Sequence, residues 1–118
     1  MTEREWPSEW LRGVLELAVL RVLADGPSYG YAIAGRLADG GFGQVKGGTL
    51  YPLLTRLEAS GDVTTHWSAG DGGPGRKYFE LSPTGRRRFA DAAAQWRRFA
   101  GDVTDFITTP ADKEQSHG

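Results

Sequence analysis

From Ser82-Pro83 to about Ile107 the sequence reads as one unbroken helix. Serine accepts the free N–H groups of a helix start, and proline fits the first helical position because its missing N–H and fixed φ cost nothing there. At ~1.5 Å per residue this helix is close to ~40 Å long, more than a domain made from the rest of this chain can cover. Its apolar residues fall in two stripes. Phe89, Ala93, Trp96, Ala100, Val103 and Ile107 alternate spacings of four and three, a heptad seam. Ala92, Phe99 and Phe106 recur every seven. One stripe can pack on the domain, and the other requires a partner.

The preceding residues divide at their glycines and prolines. Ser8 is placed to cap a first helix with Glu9 in its first turn, where an acid is favourable. Leu11 to Leu23 is apolar nearly all round, as expected of a helix sandwiched between other elements. Asp25-Gly26-Pro27 ends it. Ser28 is placed to cap a second helix, with Tyr29, Ile33 and Leu37 at helical spacing, and a loop from Gly40 to Gly48 follows. Thr49 is placed to cap a third helix, with Pro52 as its third residue. Leu50, Leu53, Leu54 and Leu57 turn inward there, leaving Thr49, Tyr51, Thr55 and Arg56 outside. Val63, Thr65 and Trp67 alternate with Thr64, His66 and Ser68, which reads as a strand with Trp67 on its core face. A Gly-rich loop from Ala69 to Gly75 leads to a return strand, Arg76 to Leu81.

The expected fold is mainly α (α+β): a winged helix-turn-helix over residues 8–82, a long C-terminal helix over 83–109, and a disordered polar tail over 110–118.

Composition removes most chemistry. There is no cysteine, and histidine occurs only as His66 and His117, so thiolate sites, disulfides and imidazole triads lack their ligands. No convergent acid, base and nucleophile emerge, so an enzyme is not expected, and neither a cofactor nor a metal is called for. The stretch Gly70 to Lys77 resembles a phosphate-binding loop but has Arg76 where lysine is needed and joins two strands. No apolar run spans a membrane and no signal-like segment opens the chain, so a cytoplasmic protein without membrane association is expected. The net charge of −1 excludes a polybasic binder but not a local basic patch.

The order helix, helix, helix, hairpin carries a DNA-binding logic. A third helix with a polar outer face can enter the major groove, with Thr49, Tyr51, Thr55 and Arg56 as hydrogen-bond formers. Lys46 stands before it, Arg76 and Lys77 follow the hairpin tip, and Ser28 opens the second helix, all placed to meet phosphate. Each has a plainer use: Ser28 and Thr49 as caps, Arg56 in a local pair with Glu58. The run Arg86 to Arg88 reads as a solvated face.

The segment LRGVLELAVLRVLADGPSYGYAIAGRL, then GGTLYPLLTRLEASGDV, then GGPGRKYFELSPTGRRRF, closely resembles the PadR family of bacterial transcription regulators. The resemblance runs from Leu11 to about Ile107. Its specific parts are GTLYP–LxRLE–G (Gly48 to Gly61) and RKYFxLxxxG (Arg76 to Gly85). It implies a homodimeric repressor on double-stranded DNA carrying a pseudo-palindromic operator, with the C-terminal helix making the dimer. Some short members bind flat aromatic or cationic drugs between paired tryptophans of that helix, and Trp96 lies in the matching place. Trp10 of the first helix could join such a pocket. Arg97 and Arg98 would favour a small anionic effector over a cationic one. The alternative is a winged-helix module that binds protein instead of DNA.

Overall fold

The computed structural model describes residues 6–69 and 75–111. Helix α1 (Ser8–Ala24) is followed by a two-residue strand β1 (Ser28–Tyr29), α2 (Gly30–Leu37), and α3 (Gly47–Ala59). The hairpin β2 (Val63–Ser68) and β3 (Arg76–Leu81) leads into α4 (Pro83–Thr108). The sheet is antiparallel in the order β1-β3-β2, with Ser28 opposite Phe79 and Thr65 opposite Phe79 on its other side. The expected elements are therefore present, and the fold is a winged helix with a small three-stranded sheet.

One core joins them. Val19, Leu20 and Leu23 of α1 meet Ile33 and Leu37 of α2, the four leucines of α3, and Val63, Phe79 and Leu81 of the sheet. Helix α1 lies at the centre, packed on α2, α4 and β3. By contrast, α4 buries only Gly85, with Phe89 packed against the core's edge.

Two helix ends show why the chain turns where it does. After α3, Gly61 takes a positive φ of 84°. Its N–H donates to the Glu58 carbonyl and the N–H of Asp62 to that of Leu57, so the last free carbonyls are satisfied. At α4, the Ser82 side chain accepts from the Gly85 N–H at 3.0 Å and donates to the Gly61 carbonyl at 2.7 Å. The cap thus fastens the start of α4 to the end of α3.

Several local expectations are corrected. Pro7, not Ser8, precedes α1, and no side chain caps it. Ser28 is not a helix cap: it pairs in the sheet, where the return strand lies alongside its backbone opposite Phe79, and Tyr29 precedes α2. Lys46 precedes α3, whose first residue is Gly47, so Thr49 is already inside and Pro52 is the sixth helical residue. The loop from Gly40 is partly replaced by a π-helical turn, Ala38–Phe42, which prolongs α2. Trp67 is 70% exposed. It lies on the predicted face, but the hairpin has by then run past the helices that would cover it. The hairpin tip at 70–74, the first residues of the N-terminal arm, and most of the tail lie outside the described residues.

Candidate nucleic-acid interface

Helix α3 owes its outer surface to its leucines. At 3.6 residues per turn, burying Leu50, Leu53, Leu54 and Leu57 turns Gly48, Pro52, Thr55 and Ala59 to the opposite side. This ridge is exposed and made of small side chains, so nothing bulky keeps the helix backbone from a groove floor. The sequence reading missed the ridge because it looked for hydrogen-bond formers. The signal was the i, i+4, i+7, i+11 spacing of small residues.

The predicted contacts flank the ridge. Thr49 and Arg56 lie on the side facing α1 and border a groove between α1, α3 and α4. Tyr51 lies on the other side, half exposed. Its ring occupies the space that any side chain at the buried Gly30 would need, so it also fixes the approach of α3 to α2. Thr55 is exposed between them. Lys46 is exposed at the helix start, its carbonyl accepting from Thr49 and Leu50 at 2.9 Å. The remaining free N–H groups of the helix start therefore sit beside a cation. Tyr31, 83% exposed in the first turn of α2, is a further candidate that the sequence reading did not single out.

Ion pairs reorganise the cations. Arg56 pairs with Glu16 of α1 at 3.4 Å and not with Glu58. Glu58 instead takes a hydrogen bond from Thr65 at 2.9 Å and faces Lys77 at 3.5 Å. Arg76 and Lys77 were expected to act together. Successive residues of a strand point to opposite faces. Arg76 accordingly stacks over the Tyr29 ring, 4.4 Å from its centroid, while Lys77 turns toward α3. Tyr29, Tyr78 and His66 line up across the three strands on the Arg76 side, with His66 stacked on Tyr78. Of the arginine run, Arg88 is no free surface charge. It bonds the buried Asp62 at 2.6 Å and also Glu16. These bonds raise its pKa against the opposing effect of burial.

The second predicted surface is α4. Phe89, Ala93 and Ala100 are half-buried, while Trp96, Val103 and Ile107 of the seam are exposed, as are Phe99 and Phe106. Trp96 leans on Phe99 with ring centroids 5.7 Å apart. Trp96, Phe99 and Ala92 form the α4 wall of the groove, whose volume is about 1020 Å³. Trp10 instead stacks on Trp6 at 6.5 Å. The cations on the groove are Arg12, Lys46, Arg56 and Arg88, with Arg97 and Arg98 elsewhere on α4. Among the described residues no cluster could hold a metal ion, and no helix is long and apolar enough to cross a membrane.

Comparison with known proteins places this architecture. The model of the Transcriptional regulator PadR-like family matches residues 19–91. A transcriptional regulator of Mycobacterium tuberculosis is 30% identical over 95 residues, which cover 80% of this chain and 87% of that protein. The crystal structure of a PadR family transcriptional regulator from Eggerthella lenta superposes with a TM-score of 0.78 at 36% identity, covering 86% of this chain and 88% of that one. A PadR-like regulator from Bacillus cereus superposes with a TM-score of 0.76 at 27% identity, covering 86% and 99%.

Proposed function

Since the chain belongs to the PadR-like family of transcriptional regulators, we propose that it is a homodimeric repressor reading a pseudo-palindromic operator. The observation that carries this reading is the two-sided character of α3: four leucines buried, and a slender exposed ridge flanked by Thr49, Tyr51 and Arg56 with Lys46 at its head. In the proposed mechanism that side enters the major groove. Thr49, Tyr51, Thr55 and Arg56 are set beside base edges or phosphate. Ser28, Arg76 and Lys77 lie along the wing and its neighbouring strand, where the DNA backbone passes.

The dimer is made by the α4 seam. Two copies place their α3 helices on successive major-groove faces, about 34–36 Å apart or a multiple of that. A small aromatic or anionic effector entering the groove beside Trp96 would act on that spacing, because the groove is walled by α4 on one side and borders α3 on the other. An effector changes operator affinity only by its different affinity for the two arrangements.

The test is selection of sites from random duplex DNA by the purified protein, at low and at near-physiological salt. An inverted repeat that persists at the higher salt is the expected result. Enrichment of nothing, or bulk binding that salt abolishes, counts against operator recognition.

A further inference from the structure

One cation beside the α3 ridge is already paired from within the chain. Arg56, the one arginine of α3, meets the Glu16 carboxylate at 3.4 Å. Glu16 is itself held from the other side by Arg88 of α4. Arg88 is fixed in turn by Asp62, which is buried at the root of the wing and also takes a hydrogen bond from Ser60 at 2.7 Å. The order Arg56, Glu16, Arg88, Asp62 therefore crosses α3, α1, α4 and the α3–β2 turn. Its inner end is rigid. Its outer contact is the long one, and the Arg56 side chain is 64% exposed.

We propose that Glu16 is a positioning residue for DNA binding, a fixed internal counter-charge that competes with DNA for the Arg56 guanidinium. The proposal rests on the reading of α3 as the DNA-contacting helix. Three observations support it. Glu16 is anchored by Arg88, so it does not swing away with Arg56 when DNA arrives. The Arg56–Glu16 contact is exposed and long, which makes it one of the weak pairs that an approaching phosphate can break. Both partners border the same groove, so Arg56 has a choice between turning inward to Glu16 and outward to DNA. The same reasoning leaves Arg88 out of DNA binding, because both of its faces are occupied by acids.

The experiment is a double-mutant cycle on the full chain. Affinity is measured by fluorescence anisotropy for a random duplex and for a duplex carrying the selected repeat, across a salt series. Glu16→Gln removes the charge but keeps the shape. It is expected to bind about two- to fivefold more tightly, because Arg56 no longer has to leave a carboxylate to meet phosphate. In an Arg56→Ala background the same substitution is expected to change nothing. Glu16→Asp keeps the charge but shortens its reach by one methylene. It should reproduce only part of the gain, since the counter-charge stays near Arg56 but at a longer distance.

A gain of equal size with and without Arg56 would show a general loss of negative charge, and would overturn the proposal. So would an unchanged or weakened Glu16→Gln protein. A wild-type protein that binds its repeat while the cycle shows no coupling removes this inference alone. Absence of DNA binding in every variant removes the DNA reading with it. Thermal melting followed by circular dichroism separates folding from binding, and the Asp variant keeps the test open if Gln impairs folding.

Discussion

Gly85 and Gly101 occupy one helix and have opposite requirements. A Cβ at Gly85 would run into the backbone carbonyl of Asp62, whereas one at Gly101 meets nothing. The first position is where α4 presses on the α3–β2 turn. The second faces solvent on the side of α4 away from its apolar stripes. Gly85→Ala is therefore expected to destabilise by about 1–3 kcal/mol, the usual range for overpacking. Gly101→Ala should stabilise by about 0.5–1 kcal/mol through helix propensity. Thermal melts of the two variants check the signs, and equal shifts would contradict the packing described. At the far end of α1, Asp25 bridges Arg36 and Arg21 at 2.8 Å each. The hydrogen bonds from Arg36, then Arg21, hold its carboxyl below the ordinary value of 3.8. A depressed carboxylate pKa contributes stability above the unfolded value and loses it as pH falls through the folded one. Asp25→Asn should therefore melt slightly below the wild type at pH 7. The two curves should converge as the pH falls below 3.8 and at high salt. Lys77 turns toward α3 from the wing. If it meets phosphate, Lys77→Ala makes the salt dependence of DNA binding shallower by about one unit. An unchanged slope takes Lys77 off the contact surface.

At the scale of elements, the caps decided how much could be read in advance. Ser82 was legible as a cap because serine, proline and an amphipathic run stand in immediate succession. Its hydroxyl has two partners, so Ser82→Ala removes both the Gly85 cap and the tie to Gly61. A loss of about 1–2 kcal/mol is expected in chemical denaturation, toward the upper end for a cap. A loss near zero would mean that Gly85 alone holds the joint. The same cue misled at Ser8, Ser28 and Thr49. A serine or threonine before an apolar run fits a cap, but a neighbouring strand or an upstream glycine can claim the boundary first. Ser28 shows this: only the fold brings β3 alongside it, and Phe79, its partner in the ladder, stands 51 positions further along the chain. The leucine face of α3 and the alternation of the hairpin were legible because they are local periodicities. The pairing of Arg56 with Glu16 was not, since it joins residues 40 apart through tertiary packing. Trp67 failed for a related reason. Alternation gives the face of a strand, but the length over which helices cover that face is set by the whole domain.

At the scale of the whole molecule, one asymmetry dominates: a core assembled from α1 to β3, and a long helix that adds almost nothing to it. Trp96, Phe99, Val103, Phe106 and Ile107 stay exposed along α4, although fully burying an exposed side chain of this kind contributes about 1.5–3 kcal/mol. In the proposed dimer a second copy related by a two-fold axis would present the same stripe and cover both at once. Val103 lies on this stripe, so in the proposed dimer Val103→Asp forces a charge into the interface, and sedimentation should show a monomer. Ala94→Asp, exposed on the opposite side of α4, should leave the dimer intact. The consequence for DNA is then quantitative. Two linked readers make the second contact intramolecular, a gain of about 10²–10⁴ in affinity when the spacing fits. The Val103→Asp protein should lose on the order of 10²-fold on the full inverted repeat and nothing on a duplex with one half-site. A variant that stays dimeric removes the heptad assignment. Equal losses on both duplexes would mean instead that the substitution had reached α3 itself, through the groove that α4 and α3 both border.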